Sequence, residues 1–204
     1  MAALAILVPA AALTFASEAA AGKKGTFVEV DVNLGLSMSP HTDMGLAFGY
    51  GGLVGIGGKL EAFPPRLYFM AGVLHQGFDG SGIHPQSGES YRAEQSLLDI
   101  PIGLRVVIPL WRGLRVHVDV MALAARMAFE STRGDLGPHE SIQWIAGGLL
   151  AVGLQYRWHR NLGTGIRLDY TFYGNLDAAA MEMVGMDRTQ PGKLFVAVVQ
   201  SFYF

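Results

Sequence analysis

Val28-Glu-Val-Asp-Val-Asn-Leu-Gly-Leu-Ser37 alternates apolar and small or polar residues without a slip. Val28, Val30, Val32, Leu34 and Leu36 share one face; Glu29, Asp31, Asn33, Gly35 and Ser37 share the other. A period of two over ten residues describes a β-strand with one apolar and one polar face. The period recurs down the chain. Leu46, Phe48, Tyr50, Val54, Ile56 and Leu60 oppose a glycine-rich set ending in Lys59 and Glu61. A third strand over 67–78 alternates less clearly. Leu98, Ile100, Ile102, Leu104 and Val106 oppose Asp99, Gly103 and Arg105; Leu114, Val116, Val118, Val120 and Ala122 oppose Arg115, His117 and Asp119. Trp144, Leu150, Val152, Leu154, Tyr156 and Trp158 oppose Gln143, Gly147, Gly153, Gln155 and Arg157. Ile166, Leu168, Tyr170 and Phe172 oppose Arg167, Asp169 and Thr171, and an eighth strand runs from about Lys193 to Phe204.

The connections alternate as well. Short ones fall at Phe63–Arg66, Pro109–Gly113 and His159–Leu162, and longer polar ones at Asp79–Ser90, Glu130–Ser141 and Asn175–Gly192. Ser39–Asp43 is short although it belongs with the long set. Short turns at one rim and long loops at the other define an up-and-down barrel of the kind that crosses outer membranes, with the short turns periplasmic.

Composition agrees. Of 204 residues half are apolar and 16% charged, yet no stretch of the mature part reaches the ~18 apolar residues of a spanning helix. Alternating strands spread the hydrophobicity instead. A soluble barrel would turn its apolar face inward, so the direction has to be decided. The apolar face is wide, aromatic and nearly free of charge, whereas the opposite face mixes glycine and charge with few large side chains. An eight-stranded lumen holds little more than its own side chains; glycines there leave room for long Arg and Glu side chains from across the barrel. We therefore expect the apolar face to meet lipid. Trp111 and Trp158 beside short turns, with Phe202 and Phe204, then form an interfacial girdle. Closure requires strand one to pair with strand eight, since lipid satisfies no backbone group. Pro101 lacks a ladder donor in a barrel without a free edge, which predicts a bulge at Asp99–Pro101.

Residues 1–21 read as an export signal peptide: Ala2–Ala16 is an apolar core and Ala19-Ala20-Ala21 a small-residue cleavage site, although no Lys or Arg precedes the core. Residues 22–204 form the barrel domain. The net charge of −2 suggests no nucleic-acid partner, and without cysteine there is neither disulfide nor thiolate metal site.

Val196-Ala-Val-Val-Gln-Ser-Phe-Tyr-Phe204 closes the chain. With this ending the chain resembles the small outer-membrane barrels of the OmpA/OmpX type, an all-β fold of eight antiparallel strands. In that family a terminal Phe preceded by alternating hydrophobic residues is recognised by the barrel-assembly machinery. Phe204, Phe202, Val198 and Val196 match those positions and Gln200 departs from them. The resemblance implies insertion into the outer membrane and no particular activity; our own expectation adds a monomer among outer-membrane lipid, with periplasmic termini and no cofactor.

The inward face carries Glu29, Asp31, Glu61, Asp119 and Asp169 against Lys59, Arg105, Arg115, Arg157 and Arg167. Buried charge is costly and often functional, so these ten residues outline either a solute path or a paired plug; the equal numbers favour the plug. Catalysis would need His75 or His84 with Ser90 or Ser96, in the manner of barrels that modify lipid A, but no His-x-Ser arrangement of lipid A deacylases occurs. The six histidines show no metal-ligand spacing. The expected role is structural or surface-interacting, through loops whose ligand the sequence does not name. A narrow channel is the alternative, and a lipid-modifying enzyme the third reading. The apolar run Ala178–Met186 suggests a short amphipathic helix or a weakly ordered loop.

Overall fold

A computed structural model describes residues 26–38, 46–59, 65–84, 86–134, 137–174 and 192–204. The export segment, Glu61, the Ser39–Asp43 loop and Ala178–Met186 lie outside them. Eight antiparallel strands form one closed barrel in chain order: β1 Thr26–Met38, β2 Leu46–Lys59, β3 Arg66–Ile83, β4 Ser90–Trp111, β5 Leu114–Arg133, β6 Gly137–His159, β7 Leu162–Tyr173 and β8 Gly192–Tyr203. Closure runs through β1 and β8, from Glu29 opposite Tyr203 to Met38 opposite Leu194. Backbone bonds between Val28 and Phe204 in both directions seal the seam at its end. No described helix is long and apolar enough to cross a membrane, which says nothing against crossing by strands.

The apolar face points outward. Leu34, Leu36, Phe48, Ile56, Phe69, Ile102, Leu104, Val120, Leu150, Val152, Ile166, Leu168, Val196 and Val198 are all exposed. Water would penalise such a continuous belt, whereas lipid accepts it. Val28 and Val30 share this parity but are covered by Val54 and Phe202. The rim aromatics Trp111 and Trp158 are also exposed.

The turns explain the short rim. Only Arg112 and Gly113 separate β4 from β5, with φ of 39° and 91°. Positive φ at both central residues is the hairpin turn whose twist matches that of its strands, and glycine takes the second place without strain.

Three expectations change. The bulge at Pro101 is absent. Ala71 opposes Ile102 and Leu74 opposes Asp99 in one unbroken register, and only Gly72 and Val73 lack β4 partners. Proline has no N–H to give Gly72, so the ladder skips two pairs and resumes without an extra residue. Asp99 therefore keeps its inward direction.

The expected loops at 79–90 and 130–141 are mostly strand. β3 to β6 have 18, 22, 20 and 23 residues, against 13, 14, 12 and 12 for β1, β2, β7 and β8. The excess of roughly 6–10 residues carries this sheet ~20–30 Å along its strands beyond the rest of the barrel.

The inward face is also less polar than expected. Leu53, Tyr68, Met70, Leu74, Val107, Met121 and Leu149 pack together inside, and Phe78, Tyr91, Leu97, Leu123, Met127, Phe129 and Ile145 form a second inner cluster nearer the loop rim. The glycines of β2 make room for neighbours on β3 rather than for arginines from across the barrel. A methyl group at Gly55 would strike Met70, and one at Gly57 would strike Tyr68.

Candidate functional site in the lumen and on the outer wall

On the short-turn side of the second inner cluster lies a charged layer, at the level of the first: Tyr68 stands opposite Arg105 and Leu53 opposite Asp31. Inward parity on β4 and β5 sets Arg105 directly opposite Asp119, and Arg105 Nε and Nη2 donate to the two Asp119 oxygens at 2.7 and 2.9 Å. Its Nη1 crosses the lumen to β1, donating to Glu29 Oε1 at 2.9 Å and Asp31 Oδ2 at 2.5 Å. One planar guanidinium thus binds three carboxylates from two walls, which its fork of five donors permits and an ammonium would not. All four side chains are fully buried.

The layer continues around the ring. Arg115 Nη1 lies 3.5 Å from Glu29 Oε2, Arg167 Nη2 lies 3.2 Å from Asp119 Oδ2, and Arg167 Nε donates to Asp169 at 2.5 Å. Ser201 donates to Asp31 at 2.5 Å and receives a bond from Gln155 at 2.9 Å. The ring of His117 fills the space left by Gly153, and neither of its nitrogens has a partner among the described residues. Nearer the loops, Lys193 Nζ meets Asp99 Oδ2 at 2.5 Å while Tyr173 donates to the same carboxylate at 3.0 Å.

Of the ten charges expected inside, Glu29, Asp31, Arg105, Arg115, Asp119, Arg167 and Asp169 are buried there. Lys59 has lumen parity but sits exposed at the strand end. Arg157 is half-buried at the rim, its guanidinium 4.8 Å from the Tyr203 ring, with Arg115 4.0 Å from the same ring. Glu61 falls outside the described residues. Sequence reasoning placed Asp99 inward but missed its partner Lys193, a residue 94 positions away that only closure brings near.

Val196, Val198, Phe202 and Phe204, the residues expected to carry an assembly signal, share the outward face of the closing strand. Gln200 is satisfied where it departs from the motif. It receives a bond from Thr164 at 2.9 Å and donates to Gly163 O at 3.0 Å, and Trp158 donates to the same Thr164 at 3.2 Å.

The histidine candidates separate. His84 is buried, and its Nδ1 accepts from the backbone of Gln86 and Ser87, so it shapes the β3–β4 turn. Ser90 is exposed at the start of β4. His75 and Ser96 meet on the outer wall, with Nε2 and Oγ 3.2 Å apart. No group of three or more metal-ligating side chains occurs among the described residues.

Outward lipid-compatible belt, inward ion layer, short turns and closed ring together define a small β-barrel of the bacterial outer-membrane class. Comparison with solved structures supports this fold. The chain resembles a major outer membrane protein from Thermus thermophilus at a TM-score of 0.60 and 14% identity, covering 89% of this chain and 100% of that one. Neisserial surface protein A aligns at a TM-score of 0.44 and 13% identity, over 89% and 98% of the two chains. Ail, the attachment invasion locus protein of Yersinia pestis, aligns at 0.44 and 10%, over 89% and 100%. No protein-family model matches the chain. No curated protein matches it either.

Proposed function

We propose that this outer-membrane barrel serves a structural and surface-interacting role, as a lipid-embedded scaffold that presents the long β3–β6 sheet outside the membrane. The observation that carries this reading is the pairing of the projecting sheet. Residues 137–145 of β6 pair only with β5, and residues 78–83 of β3 only with β4, among the described residues. Among the described residues neither stretch has a strand on its other side, and a sheet edge of that kind is a template for a partner's strand. The packed lumen supports a scaffold over a channel: Arg105 and its carboxylates span it, and apolar side chains fill the levels beyond. The terminal strand, with Phe204, Phe202, Val198 and Val196, is proposed to present the signal for barrel assembly.

Trimming the sheet tests this role. Residues 80–93 and 131–139 are each replaced by an Asn-Gly turn, rejoining the opposed pairs Asp79–Glu94 and Glu130–Glu140. Cells carrying the trimmed barrel are expected to keep a folded protein and to lose several-fold in adhesion to a cultured-cell layer or in exclusion of a hydrophobic dye. Trimmed and full-length barrels that adhere and exclude dye alike would overturn the surface role.

A further inference from the structure

The His75–Ser96 contact lies on the outer wall, away from the ion layer and below the projecting sheet, and neither role above uses it. β3 and β4 place the two residues diagonally: His75 opposes Leu98 and Ser96 opposes Gly77. That diagonal brings Nε2 within 3.2 Å of Oγ, the reach of a base to the proton of a nucleophile. The His75 ring is braced by Tyr50, 5.2 Å between centroids. Its Nδ1 is buried without a partner among the described residues.

Space and charge adjoin the pair. Gly77 has nothing within 4 Å of where a side chain would begin, so the wall is notched directly opposite Ser96. Phe48, opposite Gly77 on its other side and 60% exposed, gives the notch an apolar border. Arg126 opposes Leu98 and Trp144 on the outward face, one diagonal step from Ser96. Diagonal neighbours stand ~7–8 Å apart, within reach of a long side chain.

Depth places the notch at the membrane boundary. Trp144 and Tyr156 on β6 are 12 residues apart and both are exposed. At ~3.3 Å per residue and ~45° of tilt they are separated by about 28 Å along the normal, one hydrocarbon thickness. Tyr156 lies near the short-turn rim, so Trp144 lies at the opposite interface. On β4 Ser96 is 15 residues from the rim residue Trp111, ~35 Å by the same measure, which brings it to that interface too, where ester linkages and headgroups of lipids are found.

We propose that Ser96 and His75 are a nucleophile–base pair that hydrolyses acyl esters of anionic membrane lipids at this interface. Ser96 Oγ attacks the ester carbonyl carbon as His75 Nε2 takes the hydroxyl proton. The carbonyl re-forms, the bond to the lipid alkoxide breaks, and His75 returns the proton to the leaving oxygen. Water, activated by the same ring, then releases the fatty acid and restores Ser96. Arg126 faces the anionic headgroup, and the Gly77 notch admits the ester.

The full chain, refolded in detergent, is incubated with mixed micelles of phosphatidylglycerol or phosphatidylcholine and, separately, with a fluorophosphonate. Fatty-acid release and a covalent adduct on the Ser96 peptide are expected, with phosphatidylglycerol the better substrate. Ser96→Ala abolishes both, His75→Asn slows release by about 10²–10⁴-fold, and Arg126→Gln raises KM for the anionic lipid alone. The heat-induced gel shift of each variant shows that its barrel is intact. Release no faster than from folded Ser96→Ala, or an adduct confined to other serines, overturns the proposal.

Discussion

Arg105→Leu is expected to cost the folded barrel about 3–5 kcal/mol, read as a fall in the urea midpoint of unfolding from detergent micelles. The reason lies in what remains. Asp119 loses two bonds, and Glu29 and Asp31 lose their shared donor while staying fully buried on the same strand. Uncompensated buried carboxylates cost far more than the ion pair contributes, because the desolvation penalty stays when the partner is gone. Arg115 and Arg167 touch the cluster at longer distances, 3.5 and 3.2 Å, and do not reach Asp31. The surface pair Arg92–Asp79 is the control. Its side chains are about two-thirds exposed, and Arg92→Leu should change stability by less than about 1 kcal/mol. An Arg105 variant as stable as the parent would mean that the lumen layer is solvated rather than paired.

The second large effect concerns the outer face. Val120 opposes Leu104 and Leu150 near the middle of the belt and is 59% exposed. Val120→Arg puts a guanidinium at mid-bilayer depth, which costs about 2–4 kcal/mol in a transmembrane barrel. Folding yield into lipid vesicles should fall accordingly. In a barrel surrounded by water the same change at so exposed a position would cost close to nothing. Thr132→Arg, exposed on the projecting part of β5, is expected to be neutral in either case.

These two residues mark how far the sequence could be read. Val120 belongs to an alternation unbroken from Leu114 to Val120, and such runs on successive strands made the ring and the lipid-facing side legible. β3 was harder because both its faces are apolar in the span: Phe69 points out while Tyr68, Met70 and Leu74 fill the lumen. Period two disappears when both environments are greasy. The ends of β3 to β6 failed for the opposite reason. Residues such as Asp79, Ser81, Arg92, Glu94, Glu130 and Thr132 face water beyond the membrane, so polar strand reads as polar loop. Pairs set by register stayed hidden too. Lys193 finds Asp99 only across the closed ring, whereas His75 and Ser96 were already among the sequence's candidates and register only selected them from the four. Parity alone put Glu29 and Asp119 on the inward face, where both are buried, but at strand ends such as Lys59 inward parity no longer means burial.

Lipid-dependent folding tests the central claim most directly. Residues 22–204 are diluted from urea into phosphatidylcholine vesicles or into lipid-free buffer and run on a gel with and without boiling. A compact band that forms only with lipid, resists detergent and shifts on boiling is the predicted result. A protein that reaches an equally compact, soluble state in buffer alone would contradict it, and the exposed belt from Leu34 to Val198 would need another partner than lipid.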